Sequence, residues 1–178
     1  MRDFRGPWGF AGGWAIDLFL GVETRTHADV DVAILRDDHP QLHHVLADAR
    51  LEKVIDHTLV EWLPDERLVL PLHEIHASWP DGYHLEFLLN ERRGSDWAFR
   101  RDDRVRLPME RAFLARNEIP FLSPEIALLY KSKGTSAKDD GDFERALPRM
   151  AAERRAWLRA ALVRTVPDHH WIPALADP

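Results

Sequence analysis

Asp29 and Asp31 alternate with Val30 and Val32, a spacing that fits a β-strand. Residues two apart in a strand project from the same face, so both carboxylates would point at one spot. Two anionic oxygen donors held that way suit a hard divalent cation such as Mg2+. Upstream, Gly12 and Gly13 open an apolar segment with helical texture. A glycine pair has no Cβ to keep a bulky anion from the backbone, and strained dihedrals are cheap there. Together these residues point to a site that grips a metal-bound phosphate chain. The competing reading is an edge strand with one wet face, which also alternates Asp with Val. The glycine pair and the short helix weigh against it.

The elements that would carry these residues can be read from pattern and punctuation. A short strand around Phe10 enters the Gly12-Gly13 turn, and residues 14–20 read as a helix stopped by Gly21, the preferred residue just past a helix end. Residues 29–35 form the second strand, with Val30, Val32 and Ile34 on the face opposite the aspartates. Residues 40–49 read as a helix with Pro40 near its start, where the missing N–H does no harm. Strand-like runs follow at residues 53–55, 67–70, 74–79 and 83–89, and Pro80-Asp81-Gly82 reads as the hairpin turn between the last two. After about Arg106 the texture changes to helix. Ser123 is placed as an N-cap, followed by Pro124 and Glu125, with Ile126, Leu129 and Tyr130 as a buried stripe. Two more helices are expected over residues 142–150 and 151–163, interrupted near Pro148, and a coil from Pro167 on.

A chain of 178 residues can bury one good core, or a small sheet domain with a helical companion. The expected division is a core over residues 1–106 and a helical portion over residues 107–178. The absence of cysteine rules out disulfides and thiolate chemistry and is compatible with a reducing cytoplasm, the expected location. The apolar run over residues 9–22 is broken by Asp17, is too short to span a bilayer and lacks a cleavage pattern, so neither signal peptide nor membrane partner is expected. A net charge of -6 offers no general attraction to nucleic acid. Locally, eight arginines from Arg92 to Arg116 face five acids between Glu91 and Glu110. That excess could bind a triphosphate, or could be a solvated surface of mixed ion pairs. His73 and His76 lack the helical-turn spacing of a zinc protease motif, so zinc catalysis is set aside. Trp62, Trp79, Trp97 and Trp171 could stack on a base, but such rings more often pack a core.

The run GGWAIDLFLGVETRTHADVDVA, residues 12–33, resembles the nucleotidyltransferase superfamily, which shares a Gly-Gly or Gly-Ser turn followed by Asp-x-Asp. It is similar to the aminoglycoside 2''-adenylyltransferase-like branch in Gly12, Gly13, Trp14, Ala15, Asp17, Arg25, His27, Asp29 and Asp31. The likeness continues through HLEFLLNE (residues 84–91), LSPEIALLYKSK and KDDGDF. It implies an α/β (α+β) fold: a small mixed sheet of the polymerase-β-like kind, flanked by helices, with a C-terminal helical portion. It also implies transfer of a nucleoside monophosphate, AMP from ATP or another NTP, to the hydroxyl of a small-molecule acceptor such as an aminoglycoside. A pair of Mg2+ ions about 4 Å apart would serve attacking and leaving oxygens.

The resemblance further implies a third carboxylate on a neighbouring strand. Glu86 is the candidate, because an acid in an apolar strand needs a partner or a purpose. Relatives often have Asp there, and a cross-strand salt bridge is the other reading. Catalytic and metal-binding roles thus fall to Asp29, Asp31 and Glu86. Gly12 and Gly13 would cradle the β- and γ-phosphates, Arg25 and His27 would brace the loop or touch the nucleotide, and Lys131 or Lys133 would face the phosphates. Lys131, earlier in its helix, is preferred. Two alternatives stay open. One is a toxin-like enzyme modifying tRNA or protein: residues 12–21 also resemble the GG-x-x-x-D-x-x-L-G opening of tRNA nucleotidyltransferases, although Ile16 stands where an arginine is expected. The other is a non-catalytic nucleotide-binding module.

Overall fold

The strand carrying the Asp-x-Asp pattern starts at its second aspartate. In the computed structural model, which describes residue 1, residues 3–134 and residues 136–176, the alternation becomes β2 (Asp31–Leu35). It is preceded by β1 (Trp8–Phe10) and α1 (Gly12–Leu20). Gly21 ends α1 in the left-handed conformation at φ 80°, and the Gly21 and Val22 amides both donate to the Asp17 carbonyl. The chain continues through α2 (Leu42–Val45), β3 (Arg50–Ile55), β4 (Thr58–Glu61), β5 (Glu74–Ser78), β6 (His84–Arg93), β7 (Asp96–Phe99) and β8 (Asp102–Pro108). It closes with α3 (Met109–Ala112), β9 (Phe113–Arg116), β10 (Ile119–Leu122), α4 (Pro124–Lys131), α5 (Ala137–Ala146) and α6 (Ala152–Thr165).

The strands join in the order β4-β3-β5-β6-β2-β1-β10-β9, and β7 and β8 extend from the far end of β6. β2 runs parallel to β6 and β1 parallel to β10; the remaining pairs are antiparallel, so the sheet is mixed, as the resemblance implies. Each face of the sheet closes one core. Val32, Ile34, Phe87, Ile75 and Trp62 fill one side, where the alternation had placed Val32 and Ile34. Ala33, Ile16, Leu128, Trp97, Leu158 and Trp171 fill the other, beneath α1, α4 and α6. Asp31, in phase with Ala33, therefore opens toward the helical layer. Trp62, Trp97 and Trp171 are all packing elements.

Several expected elements differ. Residues 40–49 do not form one helix: a 3-10 turn over Arg36–Gln41 precedes the single turn of α2. Pro40 sits inside that turn without an amide to donate, and the buried His39 ring binds the Arg36 carbonyl instead. Residues 67–70 form no strand. The Leu68 amide donates to His39 Nε2 at 3.0 Å, and Arg36 Nη1 holds the Leu68 and Leu72 carbonyls at 3.1 and 2.6 Å, so side chains stand where ladder partners would. Strand pairing also runs past Arg106, since β9 and β10 complete the sheet up to Leu122. Ser123 begins α4 but makes no side-chain cap; Ser136 caps α5, accepting from the Asp139 amide at 3.2 Å. Among the described residues no helix is long and apolar enough to cross a membrane.

β1 is fixed between β2 and β10 by close backbone approach. A Cβ on Gly9 would lie 2.7 Å from the Phe121 Cα and amide nitrogen, backbone that cannot rotate aside. Gly9→Ala is expected to destabilise the fold by about 1–3 kcal/mol, the range for overpacking a filled core. A urea unfolding midpoint equal to that of the parent would refute this.

Candidate active site

Register brings the acids together. β2 and β6 are parallel neighbours with Asp31 directly beside Glu86, and adjacent strands lie about 4.8 Å apart. Asp29, exposed in the segment entering β2, approaches the same point closely enough to act on the Asp31 carboxyl. Burial, reinforced by Asp29 and Glu86, pushes the pKa of Asp31 up to about 6, with Lys131 acting in the opposite direction and Glu74 adding to the rise. Asp29 and Glu86 thus both act on the Asp31 carboxyl. Among the described residues, however, the three acids do not bring their oxygens within 4.8 Å of one another, so the expected three-acid metal cluster is not assembled as a close group. Glu86 is half-buried, and the His84 ring lies 3.6 Å from its carboxylate. His84 is on the same strand, and the cross-strand neighbour of Glu86 on β5 is His76, so no lysine or arginine salt bridge to Glu86 is found among the described residues.

The glycine pair is shaped by these side chains. Gly12 has φ +56°, and a Cβ there would run into Asp31 Oδ2. A Cβ on Gly13 would strike the Arg25 guanidinium and the His27 ring. The start of α1 can approach the acid cluster only because both positions lack side chains. Arg25 and His27 are braces. Arg25 donates to buried Asp142 through Nε at 3.3 Å and Nη2 at 3.2 Å, tying the segment before β2 to α5. His27 Nε2 lies 2.6 Å from Asp17 Oδ2, its ring packed on Trp14 at 4.6 Å, and Thr24 Oγ1 donates to the other Asp17 oxygen. Burial would push the Asp142 carboxyl up, but hydrogen bonds from Arg25 and Lys131 outweigh it and hold it below its usual range.

A cavity of about 320 Å³ opens beside Asp31. Gly12, Asp31, Ala33 and Leu88 line its sheet side, Ala127, Tyr130 and Lys131 its helix side, and Arg100, Arg101 and His73, from turns and loops, complete the lining. Lys131 reaches in from the end of α4, bridging Asp139 at 2.8 Å and Asp142 at 3.0 Å. Lys133 lies in a different groove with Ser132, Asp102 and Arg164, away from Asp31.

The arginine run divides. Arg92, Arg93 and Arg104 make exposed ion pairs, as a solvated face would. Arg100 and Arg101, on the turn between β7 and β8, lie 5.3 and 5.7 Å from the Tyr130 ring centroid at the cavity. Burial holds both guanidinium groups below their usual range and pushes the Tyr130 phenol up to about 12. Asn90 underpins this end, accepting from Trp97 Nε1 at 2.9 Å. The helical stripe marked Tyr130 as buried without giving it a place in the site, Asn90 was not singled out, and Arg100 and Arg101 were read only as part of the wider arginine excess.

The family model described as aminoglycoside-2''-adenylyltransferase matches residues 1–146. The chain belongs to this family. Its members are nucleotidyltransferases, the enzyme class to which this chain is homologous. No curated protein is matched by sequence. Among solved structures, a crystal structure of ANT(2'')-Ia in complex with adenylyl-2''-tobramycin superposes with TM-score 0.60 at 16% identity, covering 92% of this chain and 91% of the other. The solution structure of the antibiotic-resistance factor ANT(2'')-Ia gives 0.57 at 19%, covering 92% and 85%. The lincosamide adenylyltransferase LnuA with lincomycin bound gives 0.55 at 18%, covering 81% and 87%. At these identities the structural likeness establishes the fold.

The donor set fits the divalent cation expected of a family enzyme. Asp31 and Glu86 are hard oxygen donors side by side on β2 and β6. The raised Asp31 pKa, due first to burial and then to Asp29 and Glu86, marks a carboxylate that a cation would stabilise. A stability effect follows. Between about pH 4 and pH 6 the folded chain retains a proton on Asp31 that the unfolded chain has released, so metal-free protein loses stability as pH rises through that window. The loss is on the order of 3 kcal/mol. Thermal melts of metal-free protein across the window should show it, Asp31→Asn should flatten it, and millimolar Mg2+ should recover it at pH 7. Superimposable pH profiles for parent and Asp31→Asn would contradict this account.

Proposed function

We propose that this chain transfers AMP from ATP to a hydroxyl of a small cationic or polyhydroxylated acceptor, an antibiotic of the aminoglycoside or lincosamide kind, with release of pyrophosphate. The observation that carries the proposal is the convergence of Asp31 and Glu86 on neighbouring parallel strands, beside the Gly12 turn and a cavity edged by Lys131, Arg100 and Arg101. The antibiotic acceptors named for ANT(2'')-Ia and LnuA support the acceptor class.

Asp29, Asp31 and Glu86 would hold Mg2+, one ion or two, which supplies charge neutralisation on the transferred phosphoryl group and its leaving group. The free amides at the N-terminus of α1 favour negative charge. Gly12, with no Cβ, lets phosphate oxygens approach them. Lys131 gives a point charge and Arg100 and Arg101 planar donors to the β- and γ-phosphates. Leu88, Ala127 and Tyr130 offer the apolar surface a nucleobase needs. Glu86, outside the cavity lining and paired across to β5, would take the proton from the acceptor hydroxyl. That oxygen bonds to the α-phosphorus as the bond to the bridging oxygen breaks, so the reaction is mainly positioning and charge stabilisation. Arg25 and His27 act through the loop they hold.

Glu in place of the more usual Asp at position 86 favours a second reading, a module that binds nucleotide without turnover. Incubating the protein with Mg2+, α-labelled ATP and a panel of aminoglycosides and lincosamides separates the two. Transfer is expected to fall on the order of a thousandfold in Asp31→Asn, comparable to removing a principal electrostatic stabiliser. Lys131→Ala is expected to raise KM for ATP about tenfold, the cost of one charge-assisted contact. Full transfer by Asp31→Asn would sink the proposal. Metal-dependent binding of a nonhydrolysable ATP analogue, with no acceptor labelled, would establish the module.

A further inference from the structure

The hairpin formed by β5 and β6 carries ligand-type side chains beyond the acid cluster. His76 is the cross-strand partner of Glu86, and His84 precedes Glu86 by two residues on the same face. One ligand atom from each of His76, His84 and Glu86 lies within 4.8 Å of the other two. The imidazole centroids are 4.9 Å apart with their planes at 56°, so the rings are not stacked on each other. His84 Nε2 and Glu86 Oε1 are 3.6 Å apart, beyond hydrogen-bonding distance. Glu74 holds His76 Nε2 at 2.7 Å, the way an outer carboxylate orients an imidazole that ligates metal. Phe87 and Ile75 on the opposite face do the packing, leaving this face free for chemistry.

Two imidazoles and one carboxylate form a softer donor set than Asp29, Asp31 and Glu86 together. Mg2+ prefers oxygen ligands, whereas Zn2+, Co2+ and Ni2+ take nitrogen readily at about 2.0–2.1 Å. We infer that His76, His84 and Glu86 form a second metal site, for a late divalent cation such as Zn2+. Glu86 belongs to both sites. A cation held by the imidazoles draws its carboxylate toward β5 and away from Asp31, so zinc competes with the Mg2+ centre and slows transfer. The binding site stands independently of the proposed function; only the effect on transfer rests on that reading.

Titrating the full chain with Co2+ in the absence of nucleotide reads the site directly, through the visible absorption bands of imidazole-ligated cobalt, with Zn2+ calorimetry alongside. One Co2+ per chain is expected. His84→Ala and His76→Ala should each weaken binding by about tenfold or more, since each removes a direct ligand, while Asp31→Asn leaves it nearly unchanged. His84 is exposed, and circular dichroism checks that both histidine variants keep the parent fold. Absence of the bands at millimolar Co2+, or undiminished binding in His84→Ala, would overturn the site. Loss of the bands in Asp31→Asn alone would do so too, by placing the cation on the carboxylate cluster. In the activity arm, Zn2+ at saturating levels should inhibit the parent and spare His84→Ala. Zinc binding without inhibition would overturn the competition, and absence of any transfer with Mg2+ alone would refute the proposed function while leaving the cobalt result in place.

Discussion

Asp31 is held half-desolvated beside two other carboxylates, and much of the local structure exists to keep it there. Left to itself the cluster would disperse, because like charges at this separation repel and burial penalises the charged form. The parallel register of β2 with β6 prevents that: a slip by one residue would send Asp31 into the apolar core now filled by Val32 and Ile34. On the proposed reading, the resulting imbalance would give the site an affinity for cations. Lys131 relieves it only in part, because its ammonium group is already shared with Asp139 and Asp142.

The same constraint explains the residues around the glycine pair. Asp29 precedes β2, next to the Val30 carbonyl that accepts from the Glu86 amide, and the segment before it is fixed by side chains. His27 is clamped between Asp17 and Trp14, and Arg25 reaches across to Asp142 on α5. Gly13 leaves room for both braces, and Gly12 leaves room for Asp31. The spacing that looks like a phosphate cradle is therefore also a packing solution, in which α1 approaches the acids as closely as bare backbone allows. Because Asp142 holds Arg25, Lys131 and Arg145 at once, α5 is coupled through one buried carboxylate to both the loop and the cavity.

Local patterns were legible where a single period or a single residue decides the structure. The Asp-Val alternation specified which face of β2 is apolar, Gly21 specified the end of α1, and Pro80-Asp81-Gly82 specified the hairpin that sets the β5 and β6 register. The failures lie where long-range side-chain contacts replace backbone ones. Residues 67–70 have strand composition, yet His39 and Arg36 bind their backbone groups, and neither is a neighbour in sequence. β9 and β10 were hidden for a related reason: β10 gains its place by pairing with β1, more than a hundred residues earlier. In the site, the motif residues were visible, but nothing in the arginine run distinguishes Arg100 and Arg101 from their solvated neighbours until the β7–β8 turn folds them over Tyr130. His76 and His84 are likewise eight residues apart in sequence, a spacing that carries no ligand signature without the hairpin.

The charge distribution that results is polarised, and on the proposed reading this orients the nucleotide. On that reading Asp31, with Asp29 and Glu86 acting on it, forms the acidic end of the site and Arg100 and Arg101 the cationic one, in a cavity also lined by Leu88 and Ala127. A triphosphate entering alone is repelled by the acids and drawn to the arginines; with its cation bound, the attraction at the acidic end is restored. Arginine suits the cationic end because a guanidinium is weakly hydrated and remains charged when partly buried, and the Tyr130 face beneath the pair favours cations without adding a fixed negative charge. A carboxylate in place of Tyr130 would pair with the arginines and quench them. The phenol, neutral near pH 7 in any case and moved further from ionisation by burial, leaves their donors available to a phosphate, so the aromatic ring is the feature that keeps the cationic end of the cavity open to an anionic ligand.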